Sequence, residues 1–340
     1  MKDFRNYSLL AHNTFGIDVE CRRFVEFSTV EELQQLAATL TKDDEPLLII
    51  GGGSNLLLTA PFRGTVIHSA IMGRELIADG KDNDEVLLRC GSGETWDDIV
   101  AYCVENGWYG AENLSLIPGE VGASAVQNIG AYGAEVKDVI ESVEAIELAT
   151  GAKHVFNKAD CRYGYRQSRF KGEWLGRFVI THVTYRLSRT FRPQLDYGNI
   201  RKELEHRGID HPTAAALRKV IIDIRNAKLP DPKKEGNAGS FFMNPVVSRA
   251  KYEELASRYP GMPHYTVDDD HEKIPAGWMI DQCGWKGRNV GRAGVHPHQA
   301  LVLVNKGGAT GAEVLQLCQL IRQDVSRTFG IDLHPEVNIL

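Results

Sequence analysis

The chain has 340 residues and a formal net charge of −6, with 43% hydrophobic and 25% charged residues. A chain of this length buries a large core and usually divides into two or three domains. These proportions are typical of an ordinary globular protein. Because no block of basic residues is present, we expect no nucleic-acid partner.

The N-terminal segment Met1–Tyr7 is polar and lacks the apolar core of a secretory signal. No stretch reaches the ~20 apolar residues of a membrane helix. The six cysteines are scattered, without a Cys-x-x-Cys pair, which argues against a disulfide framework or a structural zinc site. We therefore expect a cytoplasmic protein with no membrane partner.

The first part of the chain predicts a β-α-β arrangement. Ser28–Glu31 has the form of a capping box, and an apolar helical face follows from Val30 to Leu40. The strand Leu47–Ile50 comes next, and the glycine cluster Gly51–Asn55 follows it directly. The chain then continues to Pro61 instead of entering a long helix, which departs from a Rossmann turn.

The middle of the chain is richer in strands. Strands are predicted at Val86–Cys90, Ser142–Leu148 and Phe178–Leu187. A helix is predicted from Thr95 to the stop signal at Asn106. The glycine-rich run Ile117–Gly133 follows this helix and is predicted to be a loop.

The last part begins after a helix that ends near Lys228. Proline and glycine residues between Pro230 and Gly239 predict a domain junction. Beyond it, helices are predicted at Ala250–Tyr259, Ala276–Cys283 and Gly311–Phe329, with a strand at Ala300–Val304. The alternation of elements indicates a mixed α+β fold.

The two glycine clusters are the most informative segments. Neither contains the Gly-Lys-Ser/Thr of a P-loop, and neither is a clean Gly-x-Gly-x-x-Gly that opens a helix. Two such loops predict one extended cofactor, approached closely by backbone amides at two places. Taken one at a time, each loop is also explained as a tight turn.

Ser240 lies in the small-residue motif Gly236–Pro245. The position after next is Phe242, so the Gly-x-Ser-x-Gly elbow of a serine nucleophile is absent. A serine hydroxyl can still donate a proton to a strongly basic carbanion. Capping of a backbone amide in a turn explains this serine equally well.

Other candidate residues carry charge. Arg162–Arg169 contains three arginines and two tyrosines, suited to binding carboxylates and developing oxyanions. Lys228 is either a diphosphate ligand or a cation at a helix C-terminus. His296 and His298 have no acidic companion at ligand spacing, so we expect no metal. Glu336 has a role only if its segment folds back into a cleft.

Together, these motifs resemble those of the UDP-N-acetylenolpyruvoylglucosamine reductase family. The resemblance covers almost the whole chain, and several ordered motifs are more specific than any one of them. The matching segments are Asn13–Ile17, Gly51–Asn55, Ile117–Gly133, Cys161–Arg166, Lys228–Pro232, Gly236–Pro245, His296–Leu303 and Pro335–Val337. The surroundings of Tyr197 resemble the substrate loop of the longer subclass.

The resemblance implies an α+β protein with an FAD-binding fold of the vanillyl-alcohol-oxidase type. Two FAD-binding subdomains would be followed by a third α+β domain for the substrate. The implied boundaries are 1–70 with 330–340 for the first subdomain, 71–229 for the second and 230–329 for the substrate-binding domain. Neither glycine loop contains His or Cys, so we expect FAD to be bound non-covalently.

The implied activity is that of an NADPH-dependent oxidoreductase of peptidoglycan synthesis acting on a CH–CH group. NADPH would reduce FAD, and flavin N5 would pass hydride to the enolpyruvyl double bond of UDP-N-acetylglucosamine enolpyruvate, giving UDP-N-acetylmuramate. Ser240 would donate the proton, while Arg166 and Glu336 would stabilise the intermediate. A guanidinium there stabilises the developing charge more in the transition state than in the ground state. We expect a monomer.

The resemblance also implies binding residues. FAD would be held by Gly51, Gly52, Gly53, Ser54, Asn55, Ile117, Pro118, Gly119, Gly122, Ala123, Ser124, Gln127, Asn128, Gly130 and Tyr132. The UDP-sugar would be held by Tyr165, Tyr197, Lys228, Asn244 and Gln299. No metal ligand is implied.

Three features depart from the family pattern. Ala123-Ser124-Ala125 lacks a proline common at this place, which leaves φ less restricted. His298 stands where Gln is common, and few residues follow Glu336 to anchor it. Two other functions stay open: another FAD-dependent oxidase of the same superfamily, and a non-enzymatic nucleotide-sugar binding protein.

Overall fold

In the computed structural model, residues 1–79 and 84–340 are described. The strands are β1 Lys2–Ser8, β2 Glu20–Phe27, β3 Leu47–Ile50, β4 Leu56–Leu57, β5 Phe62–Ser69, β6 Arg74–Asp79, β7 Glu85–Gly91, β8 Gly130–Ala131, β9 Ala134–Glu135, β10 Ile140–Glu147, β11 Lys153–Asn157, β12 Phe178–Ser188, β13 Gly236–Ser240, β14 Val246–Ser248, β15 Tyr265–Thr266, β16 His271–Lys273, β17 Asn289–Val290, β18 Ala293–Val295, β19 Val302–Asn305 and β20 Asn338–Ile339. The helices are α1 Val30–Thr39, α2 Trp96–Glu105, α3 Val121–Gln127, α4 Ile200–His206, α5 Ala214–Lys228, α6 Arg249–Arg258, α7 Ala276–Gln282 and α8 Gly311–Phe329. The mixed α+β composition predicted from the sequence is confirmed.

Contacts divide the chain into two compact units. Unit 1 consists of Met1–Tyr7, Cys21–Gly52 and Arg63–Ala227, and unit 2 of Ser8–Glu20, Gly53–Phe62 and Lys228–Leu340. The three domain ranges given above stay a prediction.

Unit 1 is built on two sheets. One has the order β1-β2-β5-β3, with β3 and β5 parallel, and the other is antiparallel with the order β11-β10-β12-β7-β6. Helix α2 buries one face, formed by Trp96, Ile99, Val100 and Cys103, in the core of the second sheet. Burial of a helical stripe against a sheet is the usual way such layers are stabilised.

The start of α1 differs by one residue from the predicted cap. Thr29, not Ser28, is the N-cap, and its side chain accepts a hydrogen bond from the backbone N–H of Glu32. The Glu32 carboxylate in turn accepts from the Ser28 backbone N–H at 2.7 Å. The predicted box is therefore wrong in register, although the helix itself is confirmed.

Unit 2 contains the sheets β13-β19-β18-β17 and β14-β16-β15 and the parallel pair β4–β20. Its longest helix, α8, begins with a capping box between Thr310 and Glu313 and ends at Gly330, which adopts φ 65°. Both ends therefore carry local signals that stop fraying. The buried side chains of α8 recur at helical spacing, at Val314, Leu317, Cys318, Ile321, Val325 and Phe329.

Candidate functional site

The two glycine clusters, far apart in sequence, meet within unit 1. An ideal Cβ on Gly51 would lie 3.0 Å from Ala123 Cβ and 3.1 Å from Glu120 Oε2. One on Gly52 would lie 3.6 Å from Gly119 Cα. The two runs therefore pack together at the half-buried residues Gly51, Gly52 and Gly119, which we call the glycine cradle.

Gly53 belongs to unit 2 and has a conformation that favours glycine. Its φ is +61°, and an ideal Cβ would lie 1.9 Å from the carbonyl oxygen of His12. The N–H of Thr14 donates to the Gly53 carbonyl at 3.2 Å. The predicted ligand Ser54 follows and is half-buried. Within unit 2, the N-terminal motif thus packs directly against Gly53.

The second glycine run is not a continuous loop, because α3 occupies Val121–Gln127. The prediction of a loop over 117–133 is wrong for these residues. Tertiary hydrogen bonds hold the segment: Trp96 N–H donates to Gly119 O at 3.0 Å, and Gly122 N–H to Ser92 O at 2.9 Å. A Cβ on Gly122 would lie 2.9 Å from Ser92 Cβ.

The predicted FAD ligands along α3 differ in accessibility. The Ser124 hydroxyl is buried and donates to Val121 O at 2.7 Å. Asn128 is also buried, has φ 47°, and donates through Nδ2 to Gly164 O at 2.7 Å. Both side chains therefore support the backbone. Of the remaining predicted ligands on this run, Ile117 and Gln127 are half-buried and Pro118 is exposed.

Arg166 lies against the end of the same run. Its Nη2 donates to Gly130 O at 2.6 Å and its Nη1 to Asn128 O at 3.3 Å. Arg166, Asn128 and Tyr132 all have positive φ, between 47° and 55°. Such a concentration of unfavourable backbone conformations is common at functional sites. The backbone of the second glycine run thus positions the guanidinium of Arg166.

Aromatic side chains surround this end of the run. Burial raises the pKa of the Tyr132 phenol, and the neighbouring Arg225 partly opposes the shift. Tyr197 packs on Gly133, where an ideal Cβ would lie 3.1 Å from the Tyr197 Cβ. Tyr165 and Tyr197 are each 41% exposed, and the guanidinium carbon of Arg166 lies 5.3 Å from the centre of the Tyr165 ring.

Ser240 ends β13 and is exposed. The preceding Gly239 has φ +68°, and its N–H donates to the side chain of Asn237 at 2.9 Å. The hydroxyl of Thr14 donates to Asn237 O at 2.6 Å. This network fixes the turn that presents the Ser240 hydroxyl.

Glu336 lies beside this turn within unit 2. Its N–H donates to Phe241 O at 2.8 Å, and Met243 N–H donates to His334 O at 3.0 Å. The segment that carries Glu336 therefore runs along the residues that follow Ser240. The segment therefore folds back along the chain, and the catalytic role of Glu336 stays a prediction.

The segment after Glu336 is firmly anchored, contrary to the sequence-based expectation. Asn338 N–H donates to Asn55 O at 3.1 Å, and Leu340 N–H to Leu57 O at 2.9 Å. The side chain of Asn55 donates to Glu336 O at 3.3 Å. Parallel pairing of β20 with β4 explains how so few residues hold the glutamate.

Two predicted substrate ligands of unit 2 flank the start of α7. Asn244 Oδ1 accepts a hydrogen bond from Ala276 N–H at 2.9 Å. Gln299 Oε1 lies 3.2 Å from an ideal Cβ on Gly277. Lys228, the third of these, is exposed at the end of α5.

Over residues 1–79 and 84–340, no helix is both long and apolar enough to cross a membrane. In the same ranges, no group of three or more His, Cys, Asp or Glu side chains could hold a metal ion.

Sequence reasoning did not identify several supporting residues. Thr14 and Asn237 lie in segments that carry the family resemblance, but their mutual hydrogen bond depends on contacts across more than 220 residues. Arg225 precedes Lys228 on α5, where the helical pattern gives it no distinguishing signal. His68 lies on β5, outside every motif.

The chain is similar over nearly its whole length to known reductases. A sequence model of the FAD binding domain matches residues 21–156, and one of the UDP-N-acetylenolpyruvoylglucosamine reductase C-terminal domain matches residues 231–340. The UDP-N-acetylenolpyruvoylglucosamine reductase of Bacteroides fragilis is 54% identical and covers 99% of both chains. That of Burkholderia multivorans is 47% identical, covering 97% of this chain and 95% of its own.

A solved structure shows the same fold. The crystal structure of the reductase from Thermus caldophilus aligns with a TM-score of 0.68 at 24% identity, covering 99% of this chain and 98% of that one. The predicted FAD-binding fold is confirmed. Given the identities of the full-length relatives and the two domain matches, the chain belongs to the UDP-N-acetylenolpyruvoylglucosamine reductase family.

Proposed function

We propose that the chain reduces UDP-N-acetylglucosamine enolpyruvate to UDP-N-acetylmuramate, with NADPH as reductant and non-covalent FAD as cofactor. The observation that carries this proposal is the pairing of the Ser240 turn with the Glu336 segment through the Glu336–Phe241 hydrogen bond. An oxidase that shares only the glycine loops has no need of this pairing. The proposal includes a monomer that acts in the cytoplasm.

The glycine cradle fits the diphosphate of FAD. Gly51, Gly52 and Gly119 carry no side chain and are only half-buried, and no Lys or Arg lies in either glycine run. Closely approaching amides can bind such an anion without a basic side chain. When bound, FAD supplies the hydride that reduces the enolpyruvyl double bond.

The chain's own residues supply charge and protons. The Ser240 hydroxyl donates a proton to the substrate carbon after hydride addition, for which its exposed turn is suited. The Arg166 guanidinium pairs with the substrate carboxylate as negative charge develops there. Glu336, whose backbone N–H and carbonyl oxygen are both hydrogen-bonded, stabilises the intermediate.

The UDP-sugar is held by residues with complementary chemistry. Lys228 binds the diphosphate, the side-chain amides of Asn244 and Gln299 form hydrogen bonds, and the half-exposed rings of Tyr165 and Tyr197 cover the ligand. The partial exposure of these two rings supports this role, because it leaves ring surface that a ligand can contact.

The test separates the two half-reactions. Purified protein is examined for a flavin absorption spectrum, reduced anaerobically with NADPH and then mixed with the UDP-sugar. Ser240→Ala should leave flavin reduction nearly intact and slow flavin reoxidation by the substrate by about 10²–10⁴-fold. Ser257→Ala, on the exposed face of α6, is the matched control and should change neither step.

Equal loss in both half-reactions of Ser240→Ala would contradict a proton-donor role. Colourless protein that releases no flavin on denaturation would instead support a nucleotide-sugar binding protein. Rapid oxidation of the reduced flavin by oxygen, without turnover of the UDP-sugar, would support an oxidase.

A further inference from the structure

A carboxylate lies at the glycine cradle of unit 1. Glu120 Oε2 is 3.1 Å from an ideal Cβ on Gly51, and Glu120 Oε1 is 3.7 Å from one on Gly52. If the cradle holds a diphosphate, an unneutralised carboxylate here would repel it. Its charge must therefore be balanced by a neighbouring group.

His68 is that neighbour. It lies on β5, where its Cα pairs with Ile50, the residue before the first glycine cluster. Its Nε2 is 3.2 Å from Glu120 Oε1, and its Nδ1 is 3.0 Å from Glu26 Oε2. Lys2 Nζ contacts the other oxygen of Glu26 at 2.6 Å.

Both ring nitrogens of His68 thus face carboxylate oxygens, and only the imidazolium can donate to both. Burial alone would lower the pKa of His68, but hydrogen bonds and charge from Glu120 and Glu26 outweigh it, and the pKa is raised. The neighbouring β3, Leu47–Ile50, contributes no charged group.

The charge balance depends on the imidazole. With a neutral His68, the group formed by Glu26, Glu120, His68 and Lys2 has one excess negative charge, and with an imidazolium it is neutral. The side chains of Glu26 and Glu120 are only 15% and 17% exposed, so solvent screens this charge only in part.

We propose that His68, as the imidazolium, neutralises Glu120 beside the glycine cradle and so makes the affinity for FAD depend on pH. The inference rests on the proposed function, because the diphosphate of FAD is the anion in question. His68 is a positioning residue that acts through Glu120. The affinity falls as the pH rises through the pKa of His68, and FAD binding at higher pH takes up a proton.

The test measures FAD affinity of the FAD-depleted full-length protein by quenching of flavin fluorescence between pH 6 and 8.5. Wild-type protein should bind FAD about tenfold more weakly at the upper end, as expected for one unit charge near the diphosphate. Calorimetric titration in two buffers of different ionisation enthalpy should show proton uptake.

Two variants assign the effect. Glu120→Gln should bind FAD tightly across the whole pH range, because the repelling carboxylate is gone. His68→Gln should bind FAD weakly across the same range, because the Glu120 carboxylate is never neutralised. His206→Gln removes an exposed histidine of α4 and should keep the wild-type profile. Unchanged pH dependence in both the Glu120 and His68 variants would overturn the inference.

The outcomes also separate the two proposals. Wild-type protein that binds FAD tightly without pH dependence overturns this inference alone. Wild-type protein that binds no FAD at any pH overturns the proposed function as well. Thermal melts of the FAD-free variants check that each of them folds.

Discussion

Replacement of Gly53 by alanine tests whether the first glycine cluster is shaped by packing. The φ of +61° is unfavourable for alanine by about 1–2 kcal/mol. The new Cβ would lie 1.9 Å from the carbonyl oxygen of His12, where ordinary contact begins near 3.4 Å. The obstacle is backbone, which cannot rotate away as a side chain can.

The expected cost follows from these two effects. Overpacking of a well-packed site adds about 1–3 kcal/mol, so Gly53→Ala should lower the free energy of unfolding by roughly 2–5 kcal/mol. At about 2–4 °C per kcal/mol, the melting temperature of the FAD-free protein should fall by roughly 4–20 °C.

The adjacent Gly52 is the matched control, because its surroundings leave room. An ideal Cβ there meets no atom closer than 3.6 Å, and its φ is not positive. Gly52→Ala should therefore keep the melting temperature of the FAD-free protein or raise it slightly, since alanine restricts the unfolded chain. If the cradle binds diphosphate, the added methyl group should weaken FAD binding at least tenfold, about 1.4 kcal/mol.

Thermal melts of FAD-free protein and fluorescence titration with FAD distinguish these effects. Wild-type stability of Gly53→Ala would refute the packing argument. Wild-type FAD affinity of Gly52→Ala would refute close approach of the cofactor to the cradle.

Three further predictions concern single side chains. Lys228→Ala should raise the KM for the UDP-sugar more than it lowers kcat, as expected for a uniform binding contact, and steady-state kinetics that show a pure kcat loss would argue against it. The hydrogen bond from Arg89 lowers the pKa of Glu144 to about 2, whereas a glutamate in the unfolded chain has a pKa of about 4.3. The ion pair therefore stabilises the folded protein fully above pH ~4.3, and this stabilisation is lost as the pH falls toward 2. Glu144→Gln should thus cost about 1 kcal/mol after solvent screening at pH 7 and nothing near pH 2, and equal melting shifts at both pH values would contradict this. Thr14→Val removes the hydrogen bond to Asn237 and should lower kcat while the FAD content is retained. Thr14→Ser should restore kcat, and failure to do so would contradict a role of this hydrogen bond in holding the Ser240 turn.

Elements with strong local signals were predictable from the sequence. The capping box at Thr310 and the glycine at Gly330 delimit α8, and its apolar residues recur at helical spacing. The strand Leu47–Ile50 was predicted with the bounds that the structure shows. These signals act within a few residues, so they are legible without knowledge of the fold.

Other features depend on distant contacts. Helix α3 has few large apolar residues and is held by bonds such as Gly122 N–H to Ser92 O, so periodicity gave no sign of it. At α1, Ser28 and Thr29 precede Glu31 and Glu32, and the sequence offers no basis for choosing the register. The meeting of Glu120 with His68 likewise depends on strand pairing across the sheet.

The parallel pairing of β4 with β20 has a consequence for the order of folding. It joins Asn338 and Ile339 to Leu56 and Leu57, so a very long segment of chain must be synthesised before this pair can close. Contacts of such high sequence separation form slowly. During translation, unit 2 therefore cannot complete its fold until β20 has been synthesised. A ribosome-stalled chain that lacks β20 would expose the unpaired β4 to chaperones and proteases.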